Sequence, residues 1–170
     1  MNPWVMSGIA FSIFVVTYLL SFTSMIQKEV IYDSIAENII LDEVITPDRL
    51  EKKVTELKED VLKQLAHCET NGVEEPDGFV KMDSNDFLSW GRYQYQRPTV
   101  QLYVKKFYNK EINNQRAGLI AWDLDEEIKL DELTLKIIFE DEGKGWKNWL
   151  NCGKKIGIEQ QIAIIKKLEN

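Results

Sequence analysis

The sequence predicts a mainly α domain with a small β or loop insert after its first helix, preceded by an N-terminal transmembrane helix. Three observations carry that expectation. An uncharged apolar run occupies the N-terminus, a single apolar stripe at helical spacing follows it, and a stretch rich in glycine, proline and aspartate separates that stripe from further helical patterns. A chain of 170 residues, 44% hydrophobic, holds one domain of ordinary size and an appendage, so one function is sought.

Residues 1–27 carry no charged side chain, and the run from Trp4 to Ile26 includes Val5, Ile9, Phe11, Ile13, Phe14, Leu19, Leu20 and Phe22. About 20 mostly apolar residues cross a bilayer, so the run reads as a transmembrane signal anchor. A cleaved signal peptide is the weaker interpretation, because no basic region precedes the run and Ser21-Phe22-Thr23 is its best small-residue site. Residues 28–45 alternate acids with Val30, Ile31, Ile35, Ile39, Ile40 and Leu41, and read as a juxtamembrane segment, either a helix or an arm packed on the domain.

The domain proper, residues 46–170, opens on Thr46-Pro47-Asp48, a helix start in which proline is already fixed at a helical φ. Leu50, Val54, Leu57, Val61 and Leu65 then lie on one helical face, and the helix ends near His67-Cys68-Glu69. From Asn71 to Trp90 the texture turns to Gly72, Pro76, Asp77, Gly78, Asp83 and Asp86, which is loop or small irregular β structure. Pro98-Thr99 starts a helix that runs through Tyr108. Residues 113–125, 131–142 and Ile158 to Leu168 read as three more.

Composition excludes several functions. A formal charge of −7 lacks the basic footprint that displaces counterions from phosphates, so a nucleic-acid partner is not expected. Lysines gathered in the last quarter (Lys144, Lys147, Lys154, Lys155, Lys166, Lys167) read first as a solvated helix face. Neither Cys68 nor Cys152 belongs to a CxxC pair and His67 is the sole histidine, so no metal site and no cofactor are expected. The two cysteines are either buried thiols or, in an oxidising compartment, a disulfide. A bridge closing so long a loop contributes on the order of 4–5 kcal/mol in the chain-entropy account.

No P-loop, dinucleotide loop, HExxH or serine elbow is present, which leaves acid-based chemistry. Glu69 stands at the carboxyl end of an amphipathic helix, where the macrodipole disfavours a second negative charge. Cover by aromatic side chains would push the same way and keep the carboxyl protonated as a general acid. The segment Ser89-Trp90-Gly91-Arg92-Tyr93-Gln94-Tyr95 supplies aromatics and an amide, as a sugar-binding groove requires, although Tyr93 and Tyr95 would equally serve as alternating core residues of a strand.

Three ordered motifs then carry a resemblance. Cys68-Glu69-Thr70-Asn71-Gly72 resembles the Cys-Glu-Ser-Gly-Gly segment of the resuscitation-promoting factors, a branch of the lysozyme-like and lytic transglycosylase superfamily. Gly91-Arg92-Tyr93-Gln94 with Thr99 is similar to that superfamily's Gly-Leu-Met-Gln motif and its following threonine. Gly145-Trp146-Lys147-Asn148-Trp149-Leu150-Asn151-Cys152 resembles the factors' closing Gly-Trp-x-x-Trp-x-x-Cys. The likeness covers roughly residues 47–157. It departs in a longer stretch between Glu69 and Gln94, in Arg92 where a small or apolar residue is usual, and in Asn71 where glycine is usual.

The resemblance implies an α+β lysozyme-like fold, Glu69 as catalytic acid and a Cys68–Cys152 disulfide. It implies a groove in which Trp90, Tyr93, Gln94, Tyr95 and Thr99 bind substrate. The implied partner is the peptidoglycan glycan strand, cut at the β-1,4 bond between N-acetylmuramic acid and N-acetylglucosamine by a single-pass membrane protein whose domain lies outside the cytoplasm. A lytic transglycosylase needs one carboxyl group, whereas a hydrolase usually uses a second, for which Asp83 and Asp86 are the candidates. A non-catalytic lysozyme-fold module that binds glycan or scaffolds a surface assembly is the alternative from another class. A phage endolysin with a releasable signal anchor is the third reading.

Overall fold

The computed structural model describes residues 46–83, 86–142 and 144–170. The transmembrane anchor (1–27) and juxtamembrane segment (28–45) expected from the sequence lie outside the described residues. Among the described residues, no helix is long and apolar enough to cross a membrane.

The first helix, α1, spans Pro47–Glu69 and buries Val54, Val61, Leu62 and Leu65, three of them members of the stripe expected of it. Its end is set by two successive left-handed residues, Asn71 (φ 52°) and Gly72 (φ 75°), with the Gly72 amide donating to the His67 carbonyl at 2.8 Å. Glycine suits this position because it takes positive φ without a Cβ penalty. The buried Thr70 adds a second tie, its hydroxyl donating to Ala66 O at 2.8 Å. Glu69 is therefore held at a rigid helix terminus.

The insert is a two-stranded antiparallel sheet, β1 (Val80–Met82) and β2 (Leu88–Trp90), entered through a 3-10 turn at Pro76–Gly78. Its register pairs Val80 with Trp90, Lys81 with Ser89 and Met82 with Leu88. Because paired residues share a face and neighbours alternate, Lys81 and Ser89 lie on one side of the hairpin. Val80, Met82, Leu88 and Trp90 lie on the other.

Five helices complete the domain: α2 (Arg97–Tyr108), α3 (Asn114–Ala121), α4 (Leu130–Glu140), α5 (Leu150–Ile156) and α6 (Ile158–Glu169). The described residues are thus mostly helical with one small sheet, in keeping with a mainly α class. Helix α3 stops earlier than its pattern suggests, because Asp123 turns left-handed (φ 58°) and Leu124 donates back to Leu119 O at 2.8 Å. Asn113 caps its start by accepting from Arg116 N at 2.9 Å. Helix α5 has no counterpart among the sequence expectations. It is seven residues long with Gly153 inside it, too short to show a period.

Helix α4 is central. Leu130, Leu133, Thr134, Ile137 and Ile138 are buried, and α1, α2 and the 3-10 turn at Gly145–Trp149 pack on it. Helix α1 also packs on α5 and α6, so residues 47–170 form one unit around Val61, Leu65, Ile137, Ile138, Ile158 and Ile165. Two glycines permit the closest approaches. A Cβ at Gly145 would lie 1.7 Å from Ile137 O, and one at Gly91 (φ +72°) would lie 1.8 Å from Ala121 O.

Candidate functional site

The end of α1, the hairpin, the turn into α2 and the segment from Asn148 to Cys152 surround a groove of about 450 Å³. That size is within the range of small-ligand sites. Glu69, Asn71, Lys81, Asp83, Gln94, Gln96, Thr99, Asn148 and Asn151 are among its lining residues, so amides and charged groups dominate over apolar ones.

Cys68 and Cys152 form a disulfide with Cα atoms 5.7 Å apart, an ordinary span for such a bond. The bridge joins the last turn of α1 to α5, and both cysteines line the groove. It fastens the carboxylate-bearing helix end to the wall formed by Trp149, Leu150 and Asn151.

Glu69 is half-buried and makes no hydrogen bond or ion pair with any described residue. Burial pushes its carboxyl above the usual glutamate value, Lys81 opposes that, and the negative charge of Asp83 adds to it. Asp83 is itself fixed: its Oδ2 accepts from the buried Ser89 hydroxyl and from Gln96 Nε2 at 2.9 Å. Lys81 comes from the same face of the hairpin as Ser89 and completes the charged set of the groove.

Gln94 adopts a left-handed backbone (φ 53°), and its Nε2 donates to Gly91 O at 2.8 Å and Phe79 O at 3.5 Å. Those two carbonyls fix the orientation of the amide, and its Oε1 is left buried without a partner among the described residues. An unmet acceptor in a groove wall is costly unless a ligand or water engages it. Aromatic contacts also brace the groove: Tyr95 meets Trp149 edge to face at 5.2 Å, Trp149 Nε1 donates to Tyr93 O at 2.6 Å, and Tyr95 Oη lies 3.0 Å from Thr134 Oγ1.

Of the residues singled out from the sequence, Glu69, Asp83, Gln94, Tyr95 and Thr99 line one groove together with Cys68 and Cys152. The others lie elsewhere, for identifiable reasons. Trp90 pairs with Val80 on the hairpin face away from Lys81, packs on Trp122 with ring centroids 4.7 Å apart and carries the Arg97 guanidinium over its ring at 4.1 Å. Tyr93 is 2% exposed and donates to Asp131 at 2.7 Å, which makes it a core residue with a satisfied hydroxyl. Asp86 is an exposed turn residue with φ 61°, its amide donating to Asp83 O at 3.0 Å.

Arg92 also faces away from the groove. It donates to Asp77, Asp123 and Asp131 at 2.6, 2.8 and 2.7 Å, tying the turn after β2 to the 3-10 turn at Pro76–Gly78, to the loop before α4 and to the first turn of α4. Sequence reasoning did not single out Lys81 or Gln96, whose direction toward the groove depends on strand register and turn geometry. Asn148 and Asn151 were legible only as members of the closing motif. Among the described residues, no cluster of His, Cys, Asp and Glu could hold a metal ion. Comparison with protein-family models, curated proteins and solved structures returned no match.

Proposed function

We propose that this chain is a membrane-anchored glycosidase that cleaves peptidoglycan, with Glu69 as general acid. The observation that carries the reading is the convergence of three separated sequence segments on one groove. Glu69 with Cys68, Gln94 with Thr99, and Asn148 to Cys152 all line it, although as many as 84 positions separate the first segment from the last. The resemblance to the resuscitation-promoting factors rests on those same three segments, and a lysozyme-like fold is part of this proposal.

The chemistry follows from the acid's surroundings. A carboxyl with raised proton affinity and no hydrogen-bond or ion-pair partner among the described residues is poised to give its proton outward. In the proposed reaction the proton passes to the glycosidic oxygen as the C1–O bond breaks, and positive charge develops on the muramyl ring. The muramyl 6-hydroxyl then closes on C1 to give an anhydro product and returns a proton to Glu69. Alternatively, water attacks, and Asp83 is the candidate carboxylate that lines the groove and could activate it. The unmet Gln94 Oε1 suits a hydroxyl or acetamido N–H donor.

Incubating the full-length chain with purified sacculi and analysing soluble products by mass spectrometry tests the reading. Muropeptides with anhydro or reducing ends are expected from the wild type, and Glu69→Gln should release them about 10²-fold more slowly or worse. Absence of products from every peptidoglycan tried would overturn the proposal.

A further inference from the structure

Among the described residues, Lys81 is the one lysine or arginine that lines the groove, and its ammonium makes no ion pair within 4 Å. The hairpin places it there by register. Ser89, its partner across the strands, is buried and spends its hydroxyl on Asp83, while Lys81 lines the groove with no hydrogen bond to any described residue. The other titratable groups facing the groove are Glu69 from α1, Asp83 after β1 and Tyr95 before α2. The N-terminus of α2 also opens onto it through Gln96 and Thr99, adding partial positive charge.

We propose that Lys81 is the anion-recognising residue of the groove, binding a carboxylate on the glycan that lies against Glu69. The proposal rests on the glycan-cleaving reading and deepens it by naming the substrate as an acidic strand rather than a neutral N-acetylglucosamine polymer. A muramyl residue offers such a carboxylate in two forms: the free lactyl group where the peptide has been removed, or a carboxylate of the stem peptide where it has not. An ammonium on a flexible stem suits either, as a point charge without a demand for planar geometry.

Occupation of Lys81 has a second effect. Unliganded, Lys81 favours the ionised form of Glu69. A bound carboxylate offsets that charge, so binding draws a proton toward Glu69 and adds to the effect of burial when an acidic strand is present. Acidic ligand therefore binds with proton uptake and more tightly as pH falls, whereas neutral ligand does not.

Calorimetric titration of the full-length Glu69→Gln chain tests the subsite without turnover. Three tetrasaccharides serve: a peptide-free N-acetylglucosamine–N-acetylmuramic acid strand, its peptide-bearing form, and chitotetraose. At least one acidic strand is expected to bind about five- to tenfold tighter than chitotetraose. That advantage should vanish in Glu69→Gln/Lys81→Gln and persist with Lys81→Arg. Which acidic strand holds the advantage identifies the lactyl or the peptide carboxylate as the source. Proton uptake, read from buffers of different ionisation enthalpy, should be present with Glu69 intact and absent in Glu69→Gln. An affinity ratio unchanged by Lys81→Gln, an equal loss for all three ligands, or no binding of any would overturn the proposal. Lys81-dependent preference without bond cleavage by the wild type would uphold the subsite and sink the glycosidase reading; cleavage without that preference would do the reverse.

Discussion

At the scale of the residue, Glu69 and Asp125 respond to burial and to charge in opposite ways. The unfolded chain titrates Glu69 near 4.5, while in the fold burial raises it. Above that value the native state holds more protons than the unfolded chain, so stability is lost as pH rises through the window above 4.5 and the deficit persists at neutral pH. Glu69→Gln should melt higher than wild type at pH 7, and the difference should disappear below about pH 4.5; calorimetry at two pH values checks it, and a destabilised variant at pH 7 would contradict it. Asp125 behaves conversely. It is 7% exposed, accepts from Arg116 Nε at 2.8 Å and from the amides of Glu127 and Ile128, and is lowered from 3.8 to about 2, chiefly by Arg116. Its contribution is present above pH 3.8 and lost as pH falls toward 2. Asp125→Asn should cost about 1–2 kcal/mol at pH 7 by urea denaturation and little at pH 2.

At the scale of the element, local patterns were legible and register was not. The stripe of α1 was readable because helical periodicity needs only the sequence within the helix, and the same holds for α2, α4 and α6. The hairpin was readable only as a turn-rich stretch. Whether Lys81 or Trp90 faces the groove depends on a pairing of which the sequence carries no local trace, since a slip of one residue would exchange the two faces. Tyr93 and Tyr95 look equivalent in sequence, yet Tyr95 lines the groove while Tyr93 ends on Asp131. The motif glycines were visible but their purpose was not. Gly145 lets the turn before α5 lie against the backbone of α4, where even a methyl group would overlap Ile137 O. Gly145→Ala should therefore cost about 3 kcal/mol or more in chemical denaturation, well beyond an ordinary helix-propensity change.

At the scale of the whole molecule, the disulfide has the largest expected effect. It closes a loop across 84 positions, which in the chain-entropy account contributes about 4–5 kcal/mol. Reduction, or Cys152→Ser, should lower the melting temperature by well over 10 °C for a domain of this size. The proposed glycan cleavage should fall with it, because the bond also holds the end of α1 against the groove wall. A reduced chain with unchanged melting and unchanged glycan cleavage would show that packing of α1 on α5 and α6 suffices.

The same bond has a consequence for covalent connectivity. Met82, Phe87 and Leu88 are exposed near the hairpin tip, and this stretch lies inside the ring that Cys68 and Cys152 close. A peptidase cutting there opens the ring without dividing the molecule: Glu69 remains on the N-terminal piece, Gln94 and Thr99 on the other, and the two sulfurs keep both in one particle. Nicked chains should migrate as one species until a reductant is added and as two afterwards. Such a chain could stay assembled in an environment rich in peptidases, and only loss of the sulfur link would release its halves.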